Sequence, residues 1–194
     1  GGNFANGTTD TTRTIPMGEP TQQQKEDYTL VLSSMIELIM LQFPEGATGA
    51  QLDGICRQNL WQQGRNFKHG TGHGVGFGLE VHEGPQNISG VNTEHMKLGM
   101  ITTIEPGCYR PGSHGIRIEN IVHTVLSQET DFGRFFKFEN LTFCPINIDL
   151  IETSLLPKAQ QEWLNLYNAE VLEKLSPLLD DEERAWLERE CRAI

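Results

Sequence analysis

Apolar residues recur three or four positions apart between residues 22 and 43, and this spacing predicts a helix. Thr21-Gln22-Gln23-Gln24 is a capping-box pattern that predicts its start, and the Pro-Gly-rich run over 44–49 predicts its end. A second helix is predicted over about 49–63. The apolar positions of both helices are typical of a hydrophobic core rather than of a cofactor site.

The last forty or so residues are charged and amphipathic, which predicts helices over 157–175 and 177–191. Their buried faces are predicted to carry apolar residues at helical spacing, namely Trp163, Leu164, Tyr167, Leu172, Trp186 and Leu187. At 194 residues the chain is one domain or most of one, and we interpret 150–194 as its helical C-terminal extension. A dimer contact is the alternative role for these helices.

Strand patterns occupy much of the remaining chain. Residues 3–15 predict a hairpin with its turn at Asn6-Gly7, because Asn-Gly favours two-residue turns and threonine favours strands. Residues 100–106 and 116–125 predict two further strands, and the intervening glycines and proline predict a loop over 107–115. A second loop is expected over 84–92. Closing strands are expected over 135–138 and 141–143.

A hairpin centred on Gly112 would place residues whose numbers sum to 224 opposite each other. Glu105 and Glu119 would then form a directly opposed pair. Opposed like charges destabilise a sheet, so such a pair needs a cation or a shared proton. The alternative is a different register in which the two glutamates are unrelated.

The segment from His69 to Glu83 carries glycine at every second position from Gly70 to Gly78, and it contains three of the six histidines. In a strand, alternate glycines leave one face bare for close approach of other backbone, while His69 and His73 share the opposite face. Strict alternation puts His82 on the wrong face, so the chain must bend if His82 joins the same site. A glycine-rich loop with incidental histidines is the alternative, and the G-x-G-x-G spacing does not match a nucleotide-binding motif.

The chain has 26 acidic and 15 basic residues, for a formal net charge of -11. This balance argues against nucleic acid or an anionic membrane as a partner, because both require clustered basic residues. The four cysteines are far apart and show no metal-binding spacing, which indicates free thiols in a reducing, cytoplasmic environment. The chain starts at Gly1 without a methionine, so a missing targeting segment says little.

Three carboxylates and three histidines are the candidates for chemistry: Asp10, His69, His73, His82, Glu105 and Glu119. Carboxylates with imidazole suit Mn²⁺, Fe²⁺, Co²⁺ or Zn²⁺. A carboxylate-rich set shared by two metals is typical of metal-assisted hydrolysis, in which the metals activate a water.

Five motifs occur in order along the chain: the run over 7–14, His69–Gly76, the V-H-E-G-P run over 81–85, the T-I-E-P-G run over 103–107, and the G-I-R-I-E-N run over 115–120. Together they resemble the motifs of Xaa-Pro aminopeptidase (aminopeptidase P), one of the pita-bread metallopeptidases. The resemblance implies an α/β fold with a strongly curved, mostly antiparallel sheet, helices on its convex side and metals in its concave side. The implied activity is release of an N-terminal residue that precedes proline. The implied cofactor is a pair of divalent ions, for which we expect Mn²⁺, with Co²⁺ or Zn²⁺ as alternatives.

The resemblance also implies roles for individual residues. Asp10 and Glu119 would bridge two metals, and His73 and Glu105 would bind one of them. Three further residues would serve the substrate. His69 would line the proline pocket, His82 would contact the scissile carbonyl or pass a proton, and Arg117 would steady Glu119.

The resemblance places another aspartate ligand ahead of Gly1, so we expect the 194 residues alone to be inactive or nearly so. Residues 1–194 would then be the C-terminal portion of a pita-bread catalytic domain whose fold is incomplete at its N-terminus. The longer protein could form a homodimer. Two alternatives remain. One is a prolidase-like dipeptidase, and the other is a pita-bread domain that has lost its metals and binds peptides or proteins.

Overall fold

A computed structural model describes residues 1–78 and 80–194. Four α-helices are present in this part of the chain: α1 (Gln22–Met40), α2 (Gly49–Gln62), α3 (Lys158–Leu175) and α4 (Asp181–Glu190). Ten short strands accompany them: β1 (Gly2–Phe4), β2 (Gly7–Thr9), β3 (Phe43–Pro44), β4 (Gly72–His73), β5 (Asn87–Ile88), β6 (Ile101–Ile104), β7 (Gly107–Arg110), β8 (His114–Arg117), β9 (Asn120–Thr130) and β10 (Gly133–Asn140).

The helix starts follow from their caps. Thr21 and Gln24 form the predicted capping box of α1, and Thr48 with Gln51 forms a second one at α2. The helix α1 ends at Met40 instead of Phe43, because Phe43 and Pro44 pair with β10 as strand β3. The two predicted helices are therefore confirmed, with a shorter end for the first.

The main sheet is antiparallel and has the strand order β3-β10-β9-β6. Three two-stranded pairs, β1-β2, β4-β5 and β7-β8, lie beside it. One isolated bridge joins Gly74, just after β4, to Thr102 of the main sheet, and another joins Thr12, beyond β2, to Glu119, just ahead of β9. The result is an α/β fold with a curled antiparallel sheet, as the sequence predicted.

The predicted register is confirmed over two consecutive strand pairs. Gly107 pairs with Arg117 and Ile104 pairs with Asn120, and both pairs sum to 224. The predicted loop over 107–115 is wrong, because most of it forms β7 and β8 around a tight turn in which Gly112 has a φ of 73°. The single strand predicted over 116–125 is likewise divided between β8 and β9.

Other strand predictions need correction. The first hairpin turns at Ala5-Asn6, since Phe4 pairs with Gly7, and Asp10 lies just beyond β2 instead of within a strand. The loop predicted over 84–92 contains β5. Residues 141–143 form no strand, although Leu141 donates its N–H to Ile121 and the Thr142 hydroxyl accepts from the same residue.

The long histidine-bearing strand predicted from residue 69 is reduced to β4, followed by a bridge at Gly74. The chain then bends over residues 77 and 78. Strict alternation would place Leu79 on the same face as His69 and His73, but Leu79 lies outside the described residues. The bend matters because it changes which side of the chain His82 occupies.

The hydrophobic core lies around α1. Seven of its apolar side chains are almost fully buried, and the helix packs against α2, α3 and β10. Burying such side chains supplies most of the stability of a domain of this size. The C-terminal helices bury Leu164, Tyr167 and Leu187, whereas Trp186 is 48% exposed, so its predicted burial is wrong. The fourth helix starts at Asp181 rather than 177, after a short 3₁₀ turn.

Two further findings concern the cysteines and the helices. All four cysteines are free, as predicted. Among the described residues, no helix combines the length and the apolar character that crossing a membrane requires.

Candidate metal centre

Four acidic or imidazole side chains meet from four separate segments. Asp10 follows β2, His73 ends β4, Glu105 follows β6, and Glu119 lies between β8 and β9. One donor atom from each of Asp10, His73 and Glu119 lies within 4.8 Å of the other two. Side chains separated by more than 100 positions in the sequence thus share one small volume.

Glu105 adjoins this group through His73. The His73 Nε2 atom lies 3.3 Å from Glu105 Oε1 and 3.4 Å from Asp10 Oδ2. One imidazole nitrogen therefore faces two carboxylates at distances slightly longer than good hydrogen bonds. The four predicted metal ligands are brought together in space.

The backbone fixes each of these positions. Glu119 donates its N–H to Thr12 O (3.0 Å), which places it beside the Asp10 segment. Glu105 donates its N–H to Thr71 O (2.7 Å), next to β4. The N–H of His73 in turn donates to the hydroxyl of Thr103 (3.0 Å), whose Oγ1 lies 3.3 Å from Glu105 Oε1.

Glycine permits this close packing of β4 against its neighbours. A Cβ atom at Gly72 would lie 1.8 Å from Thr103 O, and one at Gly74 would lie 1.9 Å from Glu83 O. No side chain fits where a carbonyl oxygen already stands, so only glycine is tolerated at these two positions. The predicted use of the bare glycine face is confirmed here, and it holds His73 close to Glu105.

The orientation of the His73 ring follows from its second nitrogen. Nδ1 lies 2.9 Å from Gly74 O, a carbonyl that can only accept a hydrogen bond. Nδ1 therefore carries the proton, and in the neutral ring Nε2 presents its lone pair to Asp10 and Glu105. A metal-binding histidine is commonly held in this manner, with its other nitrogen bonded to a carbonyl.

Glu119 supplies the observation that tests whether a cation fits. It is 2% exposed, and its Oε2 accepts a 2.5 Å hydrogen bond from the Thr12 hydroxyl. Its Oε1 is buried and has no hydrogen-bond partner among the described residues. A buried carboxylate oxygen without a partner is costly, and a metal ion at the cluster would satisfy it.

The electrostatics of the cluster also favour a bound cation. Burial raises the pKa of Glu105 and of Glu119, and the neighbouring carboxylates raise both pKa values further. Arg117 and the Thr103 hydroxyl oppose this effect at Glu105, and the Thr12 hydroxyl opposes it at Glu119. Negative charge is therefore in excess here, and a divalent cation would offset it. The donor set of carboxylates and one imidazole fits such an ion.

Of the three remaining predicted residues, His82 and Arg117 border the cluster, whereas His69 is linked to Arg117 through Tyr109. The ring centroids of His82 and His73 lie 4.0 Å apart, so the bend in the chain brings His82 to the site. The His69 Nε2 atom lies 2.8 Å from the Tyr109 hydroxyl, and Arg117 Nε donates to the same hydroxyl at 2.9 Å. The Arg117 Nε atom also lies 3.7 Å from Glu105 Oε2, so its close contacts are with Glu105 and Tyr109 rather than with Glu119.

An open cavity of about 350 Å³ gives access to the cluster. Its lining includes all four predicted ligands together with His82 and Arg117. Sequence reasoning missed Thr12, Thr103 and Tyr109. The two threonines carry no motif of their own, and Tyr109 falls in the predicted loop. The predicted register nevertheless places Tyr109 opposite Gly115, within reach of Arg117.

Comparisons with known proteins extend these observations. The profile of metallopeptidase family M24 matches residues 1–125, and that of the C-terminal region of peptidase M24 matches residues 134–194. The chain is 45% identical to a protein of Laccaria bicolor described as a probable Xaa-Pro aminopeptidase P, over 100% of this chain and 32% of that protein. It is 46% identical to aminopeptidase P2 of Arabidopsis thaliana, over 100% of this chain and 28% of the relative. The chain thus spans about a third of the length of these curated relatives.

Solved structures give the same result. X-prolyl aminopeptidase from Caenorhabditis elegans, described as a cytosolic enzyme with a di-nuclear active site, aligns with a TM-score of 0.91 and 39% identity. That alignment covers 97% of this chain and 31% of the enzyme. Prolidase from Pyrococcus furiosus aligns with a TM-score of 0.53 and 40% identity over 58% of this chain and 33% of the prolidase. The predicted pita-bread fold is confirmed by the first alignment, and the chain belongs to metallopeptidase family M24.

Proposed function

We propose that this chain forms the metal-binding part of an Xaa-Pro aminopeptidase, which hydrolyses the bond between an N-terminal residue and a following proline. The observation that carries the proposal is the convergence of Asp10, His73 and Glu119, with Glu105 beside them, in a cavity that also contains His82. The identity of 45% to an aminopeptidase P relative over the whole chain supports the same activity.

We propose that Asp10, His73, Glu105 and Glu119 would together hold two divalent metal ions. When bound, the ions would supply an activated water and Lewis acidity for peptide hydrolysis. The di-nuclear site described for the C. elegans enzyme supports two ions, and Mn²⁺ remains our prediction for their identity.

The surrounding residues have distinct tasks in this proposal. His82 is exposed, lies beside His73, and can donate a hydrogen bond to the scissile carbonyl or move a proton. His69 lines the pocket for the proline ring, and its Nδ1–H donates to Gly70 O at 2.7 Å, which fixes its ring. Arg117 neutralises part of the charge of Glu105 and holds the Tyr109 hydroxyl.

A prolidase-like dipeptidase is the second candidate, because prolidases share this fold. The far better structural match to the C. elegans aminopeptidase, with a TM-score of 0.91 against 0.53, favours aminopeptidase P. A metal-free binding domain is disfavoured by the unpartnered Oε1 of Glu119, since a binding domain has no need to retain a buried carboxylate cluster.

Peptide assays test the proposal. We expect the longer protein that contains this chain, once loaded with Mn²⁺, to release glycine from Gly-Pro-Ala but not from Gly-Ala-Ala, with chelator abolishing the reaction and Mn²⁺ restoring it. Faster cleavage of the dipeptide Gly-Pro than of Gly-Pro-Ala would favour a prolidase instead. Absence of bound metal in the purified, metal-treated protein would contradict both enzyme assignments.

The length needed for activity is a separate question. We expect little or no release by the 194-residue chain alone, because the resemblance assigns a further aspartate ligand outside it. Proline-directed release by this chain alone would contradict that expectation and leave the family assignment intact. The cytoplasmic location and a homodimer remain predictions, the first supported by the description of the C. elegans enzyme as cytosolic.

A further inference from the structure

Arg13 forms hydrogen bonds through all three guanidinium nitrogens, and two of its partners, Thr12 and Glu119, belong to or adjoin the candidate metal centre. Its three guanidinium nitrogens contact six acceptors from three parts of the fold. These are the carbonyls of Thr12, Glu119, Cys144 and Pro145, the amide oxygen of Asn120 and the hydroxyl of Tyr167, at 2.7–3.0 Å. A rigid planar group bonded on every nitrogen fixes the relative positions of its partners.

One side of this arrangement holds Glu119. Arg13 Nη1 donates to the carbonyls of both Thr12 (3.0 Å) and Glu119 (2.7 Å), the two residues joined by the bridge beside the metal cluster. The Thr12 hydroxyl then holds Glu119 Oε2 at 2.5 Å. Backbone and carboxylate are therefore both restrained, which leaves Glu119 Oε1 as the buried oxygen without a partner.

The other side lies in the C-terminal region. The Tyr167 hydroxyl on α3 accepts from Arg13 Nη2 at 2.9 Å and lies 2.9 Å from Cys144 O and 3.0 Å from Thr142 O. Tyr167 is 3% exposed, so these bonds are shielded from water. The hydroxyl proton goes to one of the two carbonyls, while the Arg13 bond uses a lone pair.

We propose that Arg13 is a positioning residue for the metal-binding carboxylate of Glu119, and that Tyr167 makes the C-terminal region part of this device. The inference rests on the metal centre proposed above. A merely structural role would predict that Arg13 and Tyr167 join the C-terminal helices to the sheet and affect stability alone. The positioning role predicts an additional loss of metal affinity, because a displaced Glu119 binds the ion less well.

Tyr167→Phe is the mildest test, and Tyr28→Phe is its matched control. The Tyr28 side chain is 1% exposed, and its hydroxyl donates to Asn147 O at 2.7 Å, outside the metal cluster. Both variants lose one buried hydroxyl and a comparable amount of stability. We expect Mn²⁺ affinity, measured by isothermal titration calorimetry on folded protein, to fall about 5-fold in Tyr167→Phe and to stay unchanged in Tyr28→Phe.

Arg13→Lys is the stronger test. Lysine keeps the charge but cannot bridge the same partners, so we expect a loss of Mn²⁺ affinity of about 10- to 100-fold. Arg184→Lys is the control, because Arg184 also donates to backbone carbonyls, at Ser176 (3.3 Å) and Leu179 (3.1 Å), but lies among the C-terminal helices. The absorption spectrum of Co²⁺-loaded protein should change in Arg13→Lys and not in Arg184→Lys.

The outcomes separate this inference from the proposed function. If wild-type protein binds no metal, the metal centre and the positioning role are both wrong. If wild-type protein binds metal and Tyr167→Phe folds with full affinity, the positioning role of the C-terminal region is overturned, while the metal centre stands. Equal losses of affinity in Tyr167→Phe and Tyr28→Phe would also overturn it, because the effect would then follow stability.

Discussion

Two groups of buried charges in this protein have opposite balances. The first surrounds Asp27 on α1, whose side chain is fully buried and contacts Arg65 Nε at 2.6 Å, Arg110 Nε at 2.5 Å and His114 Nε2 at 2.9 Å. The second is the candidate metal centre, where Asp10, Glu105 and Glu119 lie around one imidazole, with Arg117 at the edge. The Asp27 group is neutralised by the protein itself, whereas the metal centre has an excess of negative charge.

The pKa values follow this difference. Burial alone would raise the pKa of Asp27, but hydrogen bonds from Arg110, Arg65 and His114 outweigh burial and lower the pKa to about 2. In the metal centre, burial and neighbouring carboxylates raise the pKa values of Glu105 and Glu119. A buried carboxylate that cations hold in its charged form stabilises the fold, whereas a carboxylate buried beside like charges gains stability if a cation binds.

The largest effect should come from neutralising Asp27. Asp27→Asn leaves Arg65 and Arg110 without their carboxylate, and we expect the free energy of unfolding to fall by about 3 kcal/mol. Urea unfolding in chelator measures this, with Asp131→Asn in an exposed turn as the control. Mn²⁺ affinity should stay unchanged. A large loss of affinity would show that the two groups are not independent.

The opposite pattern is expected for Glu119→Gln. Mn²⁺ affinity should fall by about 100-fold or more, because an anionic ligand is lost. Metal-free stability should be unchanged or higher, since the variant removes a charge that burial disfavours. Titration calorimetry and chelator-treated unfolding measure the two quantities, with Glu129→Gln on the exposed end of β9 as the control. A marked loss of metal-free stability would contradict the proposed difference between the groups.

Acid should lower the free energy of unfolding by removing the contribution of Asp27, and this loss should be somewhat smaller than that caused by Asp27→Asn. The pKa of Asp27 is about 2 in the fold against 3.8 for the unperturbed group, so its contribution is fully present above pH 3.8 and is lost as the pH falls through 2. This difference corresponds to about 2 kcal/mol. Urea unfolding at a series of pH values should show this loss in the wild-type protein. The same loss in Asp27→Asn would assign it to other carboxylates.

The smallest effect should be a decline in the free energy of unfolding of the metal-free protein as the pH rises. The raised pKa values of Glu105 and Glu119 mean that the folded state holds their protons more tightly than the unfolded chain does. The two groups therefore contribute to the free energy of unfolding below pH 4.5, the pKa of an unperturbed glutamate. This contribution is lost as the pH rises through their pKa values in the folded protein. Saturating Mn²⁺ should cancel the decline. A decline of equal size with metal present would place its cause elsewhere.

Local signals predicted much of the fold. The capping box at Thr21 fixed the start of α1, and the symmetry about Gly112 predicted a register that holds through two strand pairs. That register is the physical basis for placing Glu105 near Glu119. The loop over 107–115 was wrong because glycine and proline were counted as loop formers throughout, although only the turn around Gly112 requires them.

The candidate site was harder to predict because it depends on contacts between distant segments. The role of each ligand rests on the resemblance. Strict alternation places His82 on the face opposite His73 unless the chain bends, and the pattern does not say whether or where it bends. Nothing local in Thr12 or Arg13 indicates a bond to Glu119, which lies more than 100 positions away. Tertiary hydrogen bonds of this kind leave no periodic pattern in the sequence.

The hydrogen bonds of Arg13 also bear on biosynthesis. A ribosome releases the chain from its N-terminus, so Asp10 emerges long before Glu119, and Tyr167 emerges later still. The oxygen atoms that would capture the ion reach their final arrangement only after the segment that carries Tyr167 has been made. A nascent chain should therefore bind metal firmly at this centre only once Tyr167 has emerged and packed against Arg13.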